Sequence, residues 1–434
     1  MRKWRLVALV GICAAMLAVA ILGHWLRPMD LDTERAAARA AGLPLTPADM
    51  PLPHYPPGQD AAPIWRTLRP LFARRGVSPS WQALERAEVH GVPPVSSNPD
   101  LFRVIAEERD TLRLIHAAAS KTGRSVHRGW GPYVLYADLA YMREASSLLR
   151  LENLAMARRG HPEEAIRNQR PSLRLANQAS EDAGCIGYMA GIAIENESLS
   201  GMGDVLREYP TPQVIAAVRA SVPRDRPRYD LGRALKAEAL NGMATIALAD
   251  SPYSAGKLLI SSGYENPVLV RRRSGLMRAL FQDPNEAVFL HFLTRQVKAA
   301  ALPPNQRAAA MRAISRDARF TLSKGPSFLF ASQELPPLGA EYDREMRILA
   351  LRAALLAGAD VLAYRAAHGR FPNTLGEASP NAIDPFIQKP LGYRRTAKGF
   401  VVYSAGPDGH FNGLPGAGAR GQAYFSYPNG SLDP

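Results

Sequence analysis

The stretch LYADLAYMREASSLLRLENLAMA, Leu135–Ala157, decides the fold class. Its large apolar residues Leu139, Met142, Leu148, Leu149 and Leu151 recur at the three- and four-residue spacing of a helix face. Gly160-His161-Pro162 then breaks the run. A second run, Glu163–Asn177, begins with acidic residues, which suit the positive end of a helix dipole. Two such runs with a short break between them predict an antiparallel helix pair.

The same pattern extends in both directions. Upstream, Asp60–Ala73 places Ile64, Leu68, Leu71 and Phe72 on one side. Phe102–Ala119 places Phe102, Ile105, Leu112 and Ile115 likewise, with Asn98 or Asp100 as a cap. Downstream, Ile186–Leu206, Pro212–Ala220, Leu231–Ala249, Arg271–Leu280, Pro284–Ala301 and Pro303–Ala318 read as helices, with a break at Pro223–Pro227. The break at Ala157–Ile166 resembles the turn of a tetratricopeptide hairpin, but the resemblance covers one unit and does not recur. Residues 60–340 are therefore expected to form an irregular all-α domain.

Beyond residue 340 the character changes. Glu341–Ala367 predicts a long helix with Met346, Leu349, Leu355, Leu356 and Leu362 available for burial, stopped by Gly369 and Pro372. Thr374 and Glu377 have capping-box spacing. The period then falls to two. Leu391–Thr396 and Phe400–Ser404 predict a hairpin, and Gln422–Tyr427 a third strand beyond the Gly-rich loop Gly406–Gly421.

The N-terminus decides where all this is placed. Arg2, Lys3 and Arg5 precede the apolar run Leu6–Leu22, followed by Trp25, Leu26 and Arg27. A run of about 17–25 apolar residues spans a bilayer, and basic residues before a first span stay on the cytoplasmic side. Ala18-Val19-Ala20 could serve as a cleavage site, but the apolar run continues past it, so a retained single-pass anchor is expected. The bulk of the chain would then lie outside the cytoplasm, periplasmic in a double-membraned cell. Residues 1–27 are read as the anchor, 28–59 as a Pro-rich spacer, 60–340 as the all-α domain and 341–434 as a small α+β tail.

The tail carries a resemblance. Tyr364-Arg-Ala-Ala-His-Gly-Arg-Phe-Pro372, Asp384-Pro385-Phe386, Tyr393 and Tyr403-Ser404-Ala405-Gly406-Pro407-Asp408-Gly409 follow in an order that resembles the C-terminal part of G-type pseudopilins of type II secretion systems. The same segment is similar to the tails of large, membrane-anchored helical bacterial proteins. The resemblance covers roughly the last 90 residues and implies a pseudopilin-like α+β fold there. In that family the loop binds calcium, which implies Ser404, Asp408 and Asn412, with backbone carbonyls, as ligands here. The later family carboxylates are missing, because Gly413–Gly421 holds no Asp or Glu. The alternative is a Gly-rich turn in which Asp408 bonds nearby backbone N–H groups. The family's cleavage and methylation signal does not precede Leu6, and some 300 residues separate the first helix from the tail. The expectation therefore extends to the tail's fold and stops short of pilus assembly.

Composition narrows the function. The net charge of +14 comes mostly from Arg, and its dense cluster, Arg271-Arg272-Arg273, has no interleaved aromatics. That pattern predicts solvated helix faces, with no nucleic acid as partner. Of the two cysteines, Cys13 lies in the membrane run; Cys185, in an apolar stretch, reads as a small buried hydrophobe. The nine His residues lack metal-ligand spacing, and there is no nucleophile elbow, P-loop or dinucleotide fingerprint. Ser327 lacks the second glycine of an elbow. The acidic pairs Glu107 with Asp110, and Glu195 with Glu197, read as adjacent solvated carboxylates. No cofactor is expected, calcium being the one ion that the resemblance introduces. The leading expectation is a non-enzymatic scaffold or binding protein of the cell envelope, with the membrane and an envelope protein as partners. The alternatives are an exported enzyme whose site forms only in three dimensions, and a secretion-apparatus component related to pseudopilins.

Overall fold

A computed structural model describes residues 29–75, 100–126, 129–131, 136–181, 184–222, 229–248, 282–322, 331, 335, 338–407, 409 and 423–427. The expected span at Leu6–Leu22 lies outside them. Among the described residues no helix is long and apolar enough to cross a membrane.

The chain is mainly helical with small antiparallel sheets. Helices α1 (Leu31–Ala40), α2 (Ala62–Arg75), α3 (Asp100–Glu107), α4 (Arg109–Ala119) and α5 (Ala137–Arg158) come first. Then follow α6 (Pro162–Arg167), α7 (Arg170–Ser180), α8 (Cys185–Glu208), α9 (Pro212–Ser221) and α10 (Leu231–Leu248). The last are α11 (Asp283–Ala300), α12 (Pro304–Leu322), α13 (Leu338–His368) and the single turn α14 (Leu375–Ala378).

Two of the expected helices are divided. Glu163–Asn177 becomes α6 and α7, because Pro171 at the start of α7 offers no N–H to the turn before it. Phe102–Ala119 becomes α3 and α4, with Glu108 between them at φ −93°, ψ 12°. The hydrogen-bond ladder nevertheless runs on, from Glu108 N–H to Val104 O (2.9 Å) and from Leu112 N–H to Glu108 O (2.8 Å).

The stretch read as a Pro-rich spacer packs on the helical body where it is described. Asp30 caps α1 by accepting from Thr33 N–H at 2.9 Å, and Ala38 is fully buried. Arg35 pairs with Glu286 at 2.7 Å and Glu34 faces His291 at 3.1 Å, fixing α1 on α11. Further on, Tyr55 N–H donates to Ser125 Oγ and Val126 N–H to Pro53 O, so the Pro-rich segment is held along residues 123–126.

α8 is the centre of the body. It packs against α5, α7, α10 and α13. A Cβ at Gly191 would stand 2.8 Å from Ala176 O, so glycine lets α8 approach α7 closely. α13 is shared between body and tail. Its first part lies against α8 and α12, and the rest against α9 and the tail sheet. The boundary placed at residue 341 therefore falls within one continuous helix, and one core runs through both parts.

The tail holds a two-stranded ladder, β1 (Ile383–Asp384) with β2 (Lys389–Pro390). Its larger sheet is an antiparallel meander of β3 (Gly392–Arg395), β4 (Phe400–Tyr403) and β5 (Tyr424–Tyr427). Register runs Arg395 opposite Phe400 and Gly392 opposite Tyr403, then Phe400 opposite Tyr427. Phe400, Val402 and Phe425 are buried, and β4 and β5 lie against α13. At Gly358 of α13 any Cβ would overlap the Phe425 ring, so the sheet seats where the helix has no side chain.

Candidate functional site

An open groove of about 960 Å³ lies along α8, walled by α5 and α13. On an α-helix, residues three and four apart share a face. The α8 residues Ile186, Met189, Ala193 and Asn196 follow that rule and form the floor. Ser200, Gly203 and Arg207 continue it past Phe425 of the tail. Arg143 stands on the α5 wall; Arg344, Arg347 and Ile348 stand on the α13 wall. Ile186 is an exposed large apolar residue, and Asn196 lines the groove throughout.

The charges of the groove are unbalanced. Among the described residues Arg143 has no hydrogen-bonded or ionic partner. Arg344 reaches only the Met189 sulfur, at 3.9 Å. Arg347 has a buried Nε with no acceptor among the described residues, and its charge acts on Asp343, one turn back. Burial raises the Asp343 carboxyl, while Arg312 and Arg347 pull it down. On the opposite side, Glu238 takes the N–H of Cys185 at the start of α8, where Gly184 has φ +109°. Cys185 is half-buried and lines the groove instead of lying in the core as expected. A thiol needs a base to act as nucleophile. The carboxylate beside it holds its backbone, and no histidine lines the groove among the described residues.

The other face of α8 is different. Glu195 is 1% exposed and pairs with Arg352 of α13, also buried. Its reading as a solvated carboxylate is thus corrected: residues two apart point to opposite sides of a helix, so Glu197 alone reaches outward, to Arg150 at 3.1 Å. Arg150 also holds Asp204 at 2.8 Å. Burial alone would lower the Arg150 pKa, but Asp204 and Glu197 raise it. Tyr188 donates to Glu345 at 2.6 Å, and Arg307 stands 3.6 Å from the same carboxylate. Burial, then the Glu345 charge, lifts the Tyr188 phenol well above its ordinary range. Tyr229 is raised by burial and by Glu195, and donates to Gly191 O at 3.0 Å. The second acidic pair is solvated, with Asp110 87% exposed beside Arg113.

Of the three residues that the resemblance implied for calcium, Ser404 is described; Asp408 and Asn412 lie outside the described residues, as do Arg271-Arg272-Arg273 and Ser327. Ser404 is buried, donates to Asp384 Oδ1 at 3.0 Å and accepts from Gly406 N–H at 3.0 Å. Asp384, quoted in the sequence only as part of a turn, organises this corner. It also accepts from Phe386 N–H at 2.9 Å and Ala405 N–H at 2.6 Å. Among the described residues no group of three or more His, Cys, Asp and Glu is placed to hold a metal. His116, His161 and His291 each face a carboxylate, on Glu152, Glu164 and Glu34. No protein-family model, curated protein or solved structure matches the chain.

Proposed function

We propose that this chain is a membrane-anchored, extracytoplasmic binding protein of the cell envelope, without catalysis, that holds a partner in the groove along α8. The observation that carries this reading is the set of arginines, Arg143, Arg344 and Arg347, around a groove of about 960 Å³, none of them in an ion pair among the described residues. Ligand sites of about 300–1,000 Å³ are lined mainly by apolar side chains with a few polar groups, and this lining has that make-up. Arg2, Lys3 and Arg5 before Leu6–Leu22 support the anchor and its orientation. The long helix ending at His368 and the Asp384-Pro385-Phe386 turn support a pseudopilin-like tail, whose loop would bind calcium weakly or not at all. That tail also supports a second reading, a component of a secretion apparatus.

A photocrosslinking residue at Ala193, in the groove, tests the proposal when compared with one at the exposed Arg113 of α4. The groove position should give a discrete adduct in cells that Arg143→Glu removes. No adduct, or the same adduct from Arg113, would contradict it. A reporter active only outside the cytoplasm should work when fused after Pro434; activity of a cytoplasmic reporter alone would overturn the placement.

A further inference from the structure

Resting on the reading of the groove as a binding surface, we infer that its occupant is one α-helix of a partner protein, apolar beneath and acidic along both flanks. Size is the first argument. The floor from Cys185 to Asn196 is about 17 Å long at 1.5 Å per residue. A volume of about 960 Å³ over that length gives a mean cross-section of about 60 Å². A helix of ~10 Å diameter has about 80 Å², so it would lie in this slot with one face open to water. An acyl chain is far narrower and would leave much of the groove filled by water. Beyond Asn196 a smaller hollow of about 340 Å³ follows α8 until the tail closes it, where Arg207 donates to Ser426 O and lies over the Phe425 ring.

The floor suits such a guest. Ala193 and Ser200 are small, which allows a second backbone to come close, as in helix pairs generally. Ile186 and Met189 supply apolar anchors at one end, and methionine adapts to uneven surfaces.

Charge is the second argument, independent of shape. The arginines stand on both walls, Arg143 on α5 and Arg344 with Arg347 on α13. A single anionic headgroup would satisfy one wall. A helix with acidic residues on both flanks satisfies both, and each guanidinium can take a carboxylate in two parallel bonds. The carboxylates of the groove are engaged elsewhere. Glu238 holds Cys185 N–H, Glu197 is paired with Arg150, and Glu144 on the α5 side has a contact of its own. The Arg347 Nε, buried with no acceptor, gains one when the guest is seated.

The test uses the full chain in nonionic detergent and fluorescein-labelled synthetic peptides of eighteen residues. One has leucines at helical spacing with flanking glutamates. A second carries lysines in place of the glutamates, and a third carries two prolines in the glutamate sequence. Fluorescence anisotropy should show the glutamate peptide binding at least tenfold more tightly than either of the others. Decanoate should not displace it. Arg143→Glu with Arg347→Glu should reverse the preference toward the lysine peptide. Arg347→Met, a milder change, should weaken glutamate-peptide binding several-fold while the melting curve stays that of the parent. Equal binding of the glutamate and lysine peptides, or a preference unchanged in the variants, would overturn the inference. Displacement by decanoate would overturn it in favour of an anionic amphiphile. A groove adduct at Ala193 in cells, together with no glutamate-peptide binding, would sink the helical occupant and leave the binding function standing; loss of the adduct as well would sink both.

Discussion

The two faces of α8 meet the same neighbour, α13, with opposite results. On the buried face Glu195 meets Arg352 and Tyr188 meets Glu345. On the open face Arg344 and Arg347 of α13 look across at Arg143 of α5, and among the described residues none of the three has a carboxylate within ion-pair reach. Arg347 and Arg352 are only five residues apart on one helix. A charge removed from water must be paired, or folding is heavily penalised. A charge at a groove mouth stays hydrated, and its pairing can wait for a ligand. The same residue type is thus structural on one side of a helix and available on the other.

The largest expected effect is on the buried side. Glu195→Ala takes from buried Arg352 its carboxylate on α8, and should cost about 3–5 kcal/mol in chemical denaturation. Replacing both, as Glu195→Leu with Arg352→Met, should restore most of that loss, because an apolar pair of similar volume is often neutral or better. If the double variant is as unstable as the single one, the pair stabilises beyond mere charge balance.

Next in size is Tyr188→Phe. Glu345 keeps Arg307 at 3.6 Å but loses its short hydrogen bond, at a cost of about 1–3 kcal/mol. The same network should give an alkaline limb to stability. Burial first, opposed by Arg307 and reinforced by Glu345, pushes the Tyr342 phenol up to about 12 from an ordinary value near 10. A folded-state pKa above the unfolded one contributes stability that is complete below pH 10 and lost as pH rises toward 12. Tyr188 shifts in the same direction. The alkaline decline measured by thermal melts should therefore be shallower in Tyr188→Phe; an identical slope would remove this residue from the titration.

The smallest expected effect is on the open side. Arg143→Gln should change stability by no more than about 0.5 kcal/mol, as surface substitutions generally do. A loss of several kcal/mol would mean that Arg143 has a structural role, and would collapse the contrast between the faces.

How much of this could be read from residues alone also divides by face. Helix positions followed the three-four period because burial on one side imposes it. Pro171 was visible, and its missing N–H predicts the break between α6 and α7. The tail hairpin was legible from alternation, since Phe400 and Val402 share a buried face. Glu195 had a signal that pair spacing hid. Tyr188, Ile192, Glu195, Leu199 and Met202 form one inward stripe, and a carboxylate within an apolar stripe requires a buried partner. That the partner is Arg352 could not be read, because 157 residues separate the two and only tertiary packing brings them together. The groove left no motif either. Its arginines come from α5 and α13, and the property that matters, having no partner, exists only once the fold is made.

The most direct measurement compares Arg352→Met with Arg347→Met, read by thermal melting and by anisotropy with the glutamate-flanked peptide. One helix carries both substitutions. The account predicts that Arg352→Met lowers the melting temperature by several degrees, because buried Glu195 loses its guanidinium partner, whereas Arg347→Met melts like the parent and binds the peptide several-fold more weakly. If Arg347→Met melts as early as Arg352→Met while peptide binding persists, the groove arginines are part of the scaffold, and the division of α8 into a structural face and a binding face is wrong.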